Sequence, residues 1–94
     1  MARMFNPPHP GEVLREFLPD KMTIEDVASR LGVSRVQLSR VLNGRSSISA
    51  DMAIRIGILT NTTPESWLAG QAKRDLWLAS QKPRPDVVPF RRAA

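Results

Sequence analysis

From Thr23 to Gly44 the chain reads Thr-Ile-Glu-Asp-Val-Ala-Ser-Arg-Leu-Gly-Val-Ser-Arg-Val-Gln-Leu-Ser-Arg-Val-Leu-Asn-Gly, a string that few folds accept. Ile24, Val27, Ala28 and Leu31 recur at i, i+3, i+4 and i+7, the spacing of one buried helical face. Thr23 is placed to cap this helix. Glu25 and Asp26 put acid in its first turn, where the helix dipole favours negative charge. Gly32 can take the left-handed conformation that ends a helix. Ser34 then opens a second helix, with Gln37 three residues on to complete a capping box. Leu38, Val41 and Leu42 supply its buried face, and Asn43-Gly44 ends it. The pair is predicted to form a helix-turn-helix.

At about 100° per residue, the face opposite Leu38, Val41 and Leu42 carries Val36, Arg40 and Asn43, flanked by Ser39 and Gln37. Arg35 sits in the first turn, the end that enters a DNA groove first in motifs of this kind. A merely solvated face would mix Glu and Lys, whereas here no acid occurs between Asp26 and Asp51. Arginine makes bidentate contacts to guanine, Gln and Asn do so to adenine, and a small apolar group meets the thymine methyl. The pattern favours a DNA-reading helix over a solvated hairpin.

A chain of 94 residues is one small domain with a modest core, so association with a partner or a second copy is expected. Its formal charge of +5 favours a polyanion or an acidic partner without choosing between them. The distribution says more. Arg30, Arg35, Arg40, Arg45 and Arg55 fall in or beside the helix pair, while Glu12, Glu16, Asp20, Glu25 and Asp26 come earlier. Without cysteine there is neither a disulfide framework nor a thiolate metal site. The N-terminus lacks the apolar run of a signal peptide. The stretch Met52 to Leu59 is broken by Arg55 and too short to span a bilayer. A soluble intracellular protein is the simplest expectation.

Residues 1–9 contain Asn6-Pro7-Pro8-His9 and run into Pro10, which excludes helix and predicts an arm, extended or packed on the domain. Residues 10–81 form the expected domain. Its first helix starts at Pro10 and runs through Val13, Leu14, Phe17 and Leu18 to Pro19. Ser49 is placed to cap a fourth helix with Met52, Ala53, Ile56 and Leu59 inside and Asn61-Thr62 at its close. Ile54 and Ile58 make a second apolar stripe there. The simpler expectation is that the next helix covers it, and the sharper one is a self-association surface. Thr63-Pro64 opens a fifth helix, with Trp67, Leu68, Ala72, Leu76 and Ala79 on one face, ending near Gln81 before Pro83. Residues 82–94 are a basic tail, expected to be flexible, with a partner-binding segment as the alternative.

These residues closely resemble the XRE/Cro/C1-type helix-turn-helix proteins and, within them, the HigA (VapI-like) antitoxins of bacterial toxin–antitoxin modules. The likeness covers about residues 8 to 80. It rests on His9-Pro10-Gly11-Glu12-Val13-Leu14, Leu31-Gly32-Val33-Ser34-Arg35, Leu42-Asn43-Gly44-Arg45, Ile48-Ser49-Ala50-Asp51-Met52-Ala53-Ile54-Arg55, and Ser66-Trp67-Leu68 with Gln71 and Asp75-Leu76. The resemblance implies an all-α, compact five-helix lambda-repressor-like domain that forms a homodimer on a palindromic operator, often its own promoter. It implies a HigB-type toxin partner, a small ribonuclease that cuts mRNA at the ribosome. It also implies a bacterial cytoplasmic protein, nucleoid-associated through its operator. With no cysteine and a single histidine, no metal is expected, nor any cofactor.

By position, the family's base-reading residues fall on Arg35, Val36, Ser39 and Arg40, and its phosphate contacts on Thr23, Gln37, Asn43 and Arg45. Candidates for the dimer interface are Ile54, Ile58 and Trp67. Three positions depart from the family pattern. Ile24 stands where many relatives have a phosphate-touching Gln, Gly70 where HigA-like chains carry an apolar residue, and Arg74 where they carry an aromatic.

No enzyme is expected. His9 is the only histidine, and its Pro-rich setting suits packing or capping near the first helix. Glu12 and Glu16 lie one turn apart but have no basic or histidine partner placed to perturb them, so they read as a solvated face. There is no Gly-rich phosphate loop, and Trp67 and Trp77 read as core or interface residues. The leading expectation is a dimeric repressor that is also an antitoxin. The alternatives are a stand-alone regulator of the same fold and a protein–protein adaptor whose basic face docks an acidic partner.

Overall fold

Every helix begins where a side chain can accept a hydrogen bond from one of its first free amides. His9 Nδ1 accepts from Gly11 at 2.9 Å, Thr23 Oγ1 from Asp26 at 3.1 Å, and Ser34 Oγ from Gln37 at 3.0 Å. Ser49 Oγ accepts from Met52 at 3.0 Å and Thr63 Oγ1 from Ser66 at 3.2 Å. A cap of this kind stabilises a helix by about 1 kcal/mol. The computed structural model describes residues 6–91, and in it these caps open five α-helices. They are α1 (Pro10–Phe17), α2 (Ile24–Leu31), α3 (Arg35–Leu42), α4 (Ala50–Thr60) and α5 (Pro64–Ser80), with no strand among the described residues. The all-α, five-helix expectation is met.

The helix ends follow the same local logic. Gly32 at φ 74° and Gly44 at φ 70° take the left-handed conformation that a side chain disfavours. After each glycine the chain closes back on its helix. Val33 N donates to Ala28 O at 3.0 Å and Gly32 N to Ser29 O at 3.1 Å. Arg45 N donates to Arg40 O at 2.8 Å and Gly44 N to Val41 O at 3.0 Å. These paired bonds are the Schellman pattern, which satisfies carbonyls that the helix leaves free. Asn61 ends α4 in the same way at φ 59°.

Leu14, Val27, Leu38 and Ile56 are sealed at the centre, one from each of the first four helices. Each contributes about 1.5–3 kcal/mol through burial of its apolar side chain. Ala28, Leu31, Val41, Leu42, Ile48, Met52 and Ala53 extend this core. α3 packs against α1 and α2, and α4 packs against α2 and α5. At Gly11 the backbones of α1 and α3 meet so closely that a methyl group there would overlap the Val41 carbonyl.

Two sequence expectations need correction here. The first concerns α5. Trp67 is buried and Leu68 half-buried, but Ala72, Leu76 and Ala79 face solvent. The inner side of this helix is set by polar clamps instead. Gln71 Oε1 accepts from Ile48 N at 2.7 Å while its Nε2 donates to Ile48 O at 2.9 Å. Arg74 Nη1 donates to Pro7 O at 2.8 Å and to Asn6 Oδ1 at 3.2 Å, which holds the Pro-rich lead-in against α5. The second correction concerns Ile54 and Ile58, which α5 does not cover: they are 50% and 78% exposed.

Candidate nucleic-acid interface

The outward face of α3 follows from its buried one. Leu38, Val41 and Leu42 lock the helix onto α1 and α2, which leaves Val36, Arg40 and Asn43 pointing away from the core. Val36 is 68% exposed, a large apolar side chain in open solvent with no neighbour required by the fold. Arg40 and Gln37 are exposed, and Ser39 is half-buried at the edge of the face. Among the described residues Gln37 makes no return bond to Ser34, so only half of the expected capping box forms and its amide stays free for other partners. Arg45 is exposed in the loop after α3. Thr23 lies at the start of α2 with its hydroxyl committed to the Asp26 amide.

Arg35 is not isolated. Its Nε lies 2.8 Å from Glu25 Oε2, linking the first turns of α2 and α3, with the two side chains 62% and 64% exposed. Glu25 thus does more than complement a helix dipole.

A second network fixes the far end of α3, and sequence reasoning missed it. Arg15 on α1 donates from Nε to the Leu42 carbonyl at 3.2 Å and from Nη2 to Asn43 Oδ1 at 2.9 Å. Asn43 Nδ2 then donates to Ser39 Oγ at 3.2 Å. The Arg15 cation therefore sits where the helix dipole is negative, and it orients two of the residues named as DNA contacts. The signal was too weak to read: one arginine among acids, 27 and 28 residues away from its partners. Arg55, grouped by sequence with the basic residues of the motif, has a different post. Its Nε pairs with Asp51 Oδ2 at 2.7 Å, and its Nη1 donates to the carbonyls of Leu31 at 2.8 Å and Gly32 at 3.1 Å, closing the end of α2.

Trp67, named from the sequence as a dimer-interface candidate, belongs to the core. It is only 5% exposed, its Nε1 donates to Thr62 Oγ1 at 2.7 Å, and its ring lies 5.7 Å from that of Phe17. Burial against α1 leaves it no face to offer. Ile54 and Ile58 remain on the surface. His9 caps α1, as its setting suggested.

The family model described as Helix-turn-helix matches residues 14–68, more than half of the chain. The Virulence-associated protein A' of Dichelobacter nodosus is 46% identical over 76 residues, 79% of this chain and 66% of that relative. The chain therefore spans just under two thirds of that relative's length. An addiction module antidote protein of the HigA family from Coxiella burnetii superposes with a TM-score of 0.77 at 39% identity, over 82% of this chain and 86% of that one. The chain belongs to the HigA group of the helix-turn-helix family. A third relative, the Pseudomonas aeruginosa antitoxin HigA, has been solved with the higBA promoter. It is 36% identical with a TM-score of 0.74, over 80% of this chain and 84% of that one.

Its relatives are described as helix-turn-helix regulators and antitoxins, and one from Pseudomonas aeruginosa has been solved with its operator DNA at 36% identity. The family match opens at Leu14 and closes at Leu68. It thus contains both helices of the motif and α4, and leaves the lead-in, most of α5 and the tail outside. Among the described residues no helix is long and apolar enough to cross a membrane.

Proposed function

We propose that this chain is a repressor and antitoxin that binds a palindromic operator as a homodimer and neutralises a HigB-type ribonuclease. The observation that carries the DNA reading is the outward face of α3. It presents Arg35, Val36, Ser39 and Arg40 on a helix held to the core by Leu38, Val41 and Leu42 and tied at its close by Arg15. In this reading those four address base edges, while Thr23, Gln37, Asn43 and Arg45 meet phosphates around them. Two copies place their α3 helices in successive major grooves, about 34 Å apart. Ile54 and Ile58, exposed and apolar, are our candidates for the contact between copies. Residues 10–81 act as the DNA-binding domain, residues 1–9 as an arm and residues 82–94 as a basic tail.

The antitoxin part is supported by the relatives, two of which are described as an antidote protein and an antitoxin. Its test is induced expression of each neighbouring reading frame, with and without this protein, scored by growth. A neighbour that arrests growth alone but not together with this chain is the expected toxin. If every neighbour is expressed and none arrests growth, the linked-toxin part is wrong and a stand-alone regulator remains.

A further inference from the structure

We propose that Glu25 is a positioning residue that sets the base preference of Arg35. The inference rests on the DNA-reading role given to α3 above. It concerns how one of those contacts is made selective.

The geometry is specific about which atoms are engaged. Glu25 Oε2 holds Arg35 through Nε at 2.8 Å. That leaves the outer edge of the guanidinium, Nη1 and Nη2, as two parallel donors. This is the fork that matches guanine O6 and N7. A long arginine side chain free in solvent must give up much of its rotamer freedom to make such a contact, and a pre-held one gives up less. The anchor itself stands on a rigid element. Glu25 is in the first turn of α2, which Thr23 caps and which packs against α3 through Val27, Ala28 and Leu31.

The carboxylate has a second effect. Beside Arg35 it cancels charge that the guanidinium would otherwise offer to any phosphate, and it is itself repelled by the DNA backbone. Random duplex therefore gains little from Arg35, whereas a guanine placed at the free edge gains the full bidentate contact. Preorganisation raises the affinity for the right base while charge cancellation lowers it for arbitrary sequence. Fold stability is not the purpose of the pair. With both side chains more than half exposed, an ion pair of this kind contributes little to folding.

The test uses the full chain and a pool of randomised duplexes, with selected sequences read out for wild type, E25Q, E25D and R35A. E25Q keeps the size and hydrogen-bonding capacity of the side chain but not its charge. E25D keeps the charge but withdraws it by one methylene. We expect wild type to select a palindromic sequence in which one guanine per half-site depends on Arg35 and disappears with R35A. In E25Q and E25D the preference for that same guanine falls by about threefold to tenfold, while the other positions are unchanged. Scrambled duplex binds E25Q more tightly, with a salt slope steeper by about one, because Arg35 is released to phosphate. E25D shows no such rise. Thermal unfolding of the variants stays at the wild-type midpoint, which separates positioning from folding.

The proposal is overturned if E25Q and E25D select the wild-type sequence with that guanine undiminished. It is overturned equally if the position they affect is not the one lost in R35A. In both cases the operator reading stands. If wild type selects no sequence at all, the DNA-reading role of α3 falls and this inference falls with it.

Discussion

The corner where α1 meets α3 and the outer side of α4 and α5 are built from the same kind of helix, yet one is closed and the other open. At the corner, Gly11 lets two backbones touch and Arg15 ties α1 to the last carbonyl of α3, while Leu14 and Leu38 are sealed beneath. On the outer faces of α4 and α5, Ile54, Ile58 and Leu76 lie in solvent. The first region is finished within one chain, as the proposed reading role of α3 requires. The second carries more apolar surface than its own fold uses, and the proposed contact between copies falls on Ile54 and Ile58 within it.

Five substitutions break or sharpen this contrast, in descending order of effect. G11A drives a methyl group into the Val41 carbonyl and forces α1 off α3, so chemical denaturation is expected to show a loss of about 3 kcal/mol. An unchanged midpoint would mean the corner is looser than its backbone contact indicates. I58E places charge on the open side, where Ile58 is 78% exposed, so the fold should survive. Under the dimer reading, sedimentation should show a monomer and operator affinity should drop on the order of a hundredfold as the second half-site is lost. A dimer that persists would move the contact between copies elsewhere.

The next comparison stays on α3. R40A should cost about 2 kcal/mol on the operator and relax preference at particular bases. R45A should weaken all duplexes alike and flatten the salt slope by about one unit. Equal behaviour of the two variants on operator and scrambled DNA would show that readers and phosphate contacts have been assigned wrongly. The smallest effect is G70A. Replacing glycine within a helix, where the side chain meets open space, should stabilise by about 0.5–1 kcal/mol in thermal unfolding. A loss instead would place another surface against that notch.

The features legible in the sequence were those that close over a few residues. The caps by Thr23, Ser34, Ser49 and Thr63 each span three residues, and the turns at Gly32, Gly44 and Asn61 depend on one backbone angle. Apolar spacing then placed Leu14, Val27, Leu38 and Ile56 inside. What the sequence hid were donors that cross the fold. Arg15 reaches Leu42, Gln71 reaches Ile48, and Arg74 reaches Pro7, over 27, 23 and 67 residues. Each is a polar side chain with no periodic mark, so nothing local distinguishes it from a solvated one. The α5 face was misread for that reason. Leu68, Ala72, Leu76 and Ala79 keep helical spacing, but Gln71 and Arg74 decide which side turns inward. Trp67 was misassigned because a large aromatic suits a core and an interface equally, and only its contact with Phe17 and Thr62 decides.

The central claim is that α3 reads a particular DNA sequence, and it is tested most directly by competition binding. The DNA upstream of this protein's own reading frame is set against a scrambled duplex of the same length and composition, at several salt concentrations. The account predicts a preference of about a thousandfold or more for the upstream DNA at moderate salt, as expected for specific over non-specific binding. It also predicts that affinity for both duplexes falls steeply as salt rises. Equal affinity for the two duplexes at every salt concentration would contradict it, and would leave the basic face as a surface for some other acidic partner.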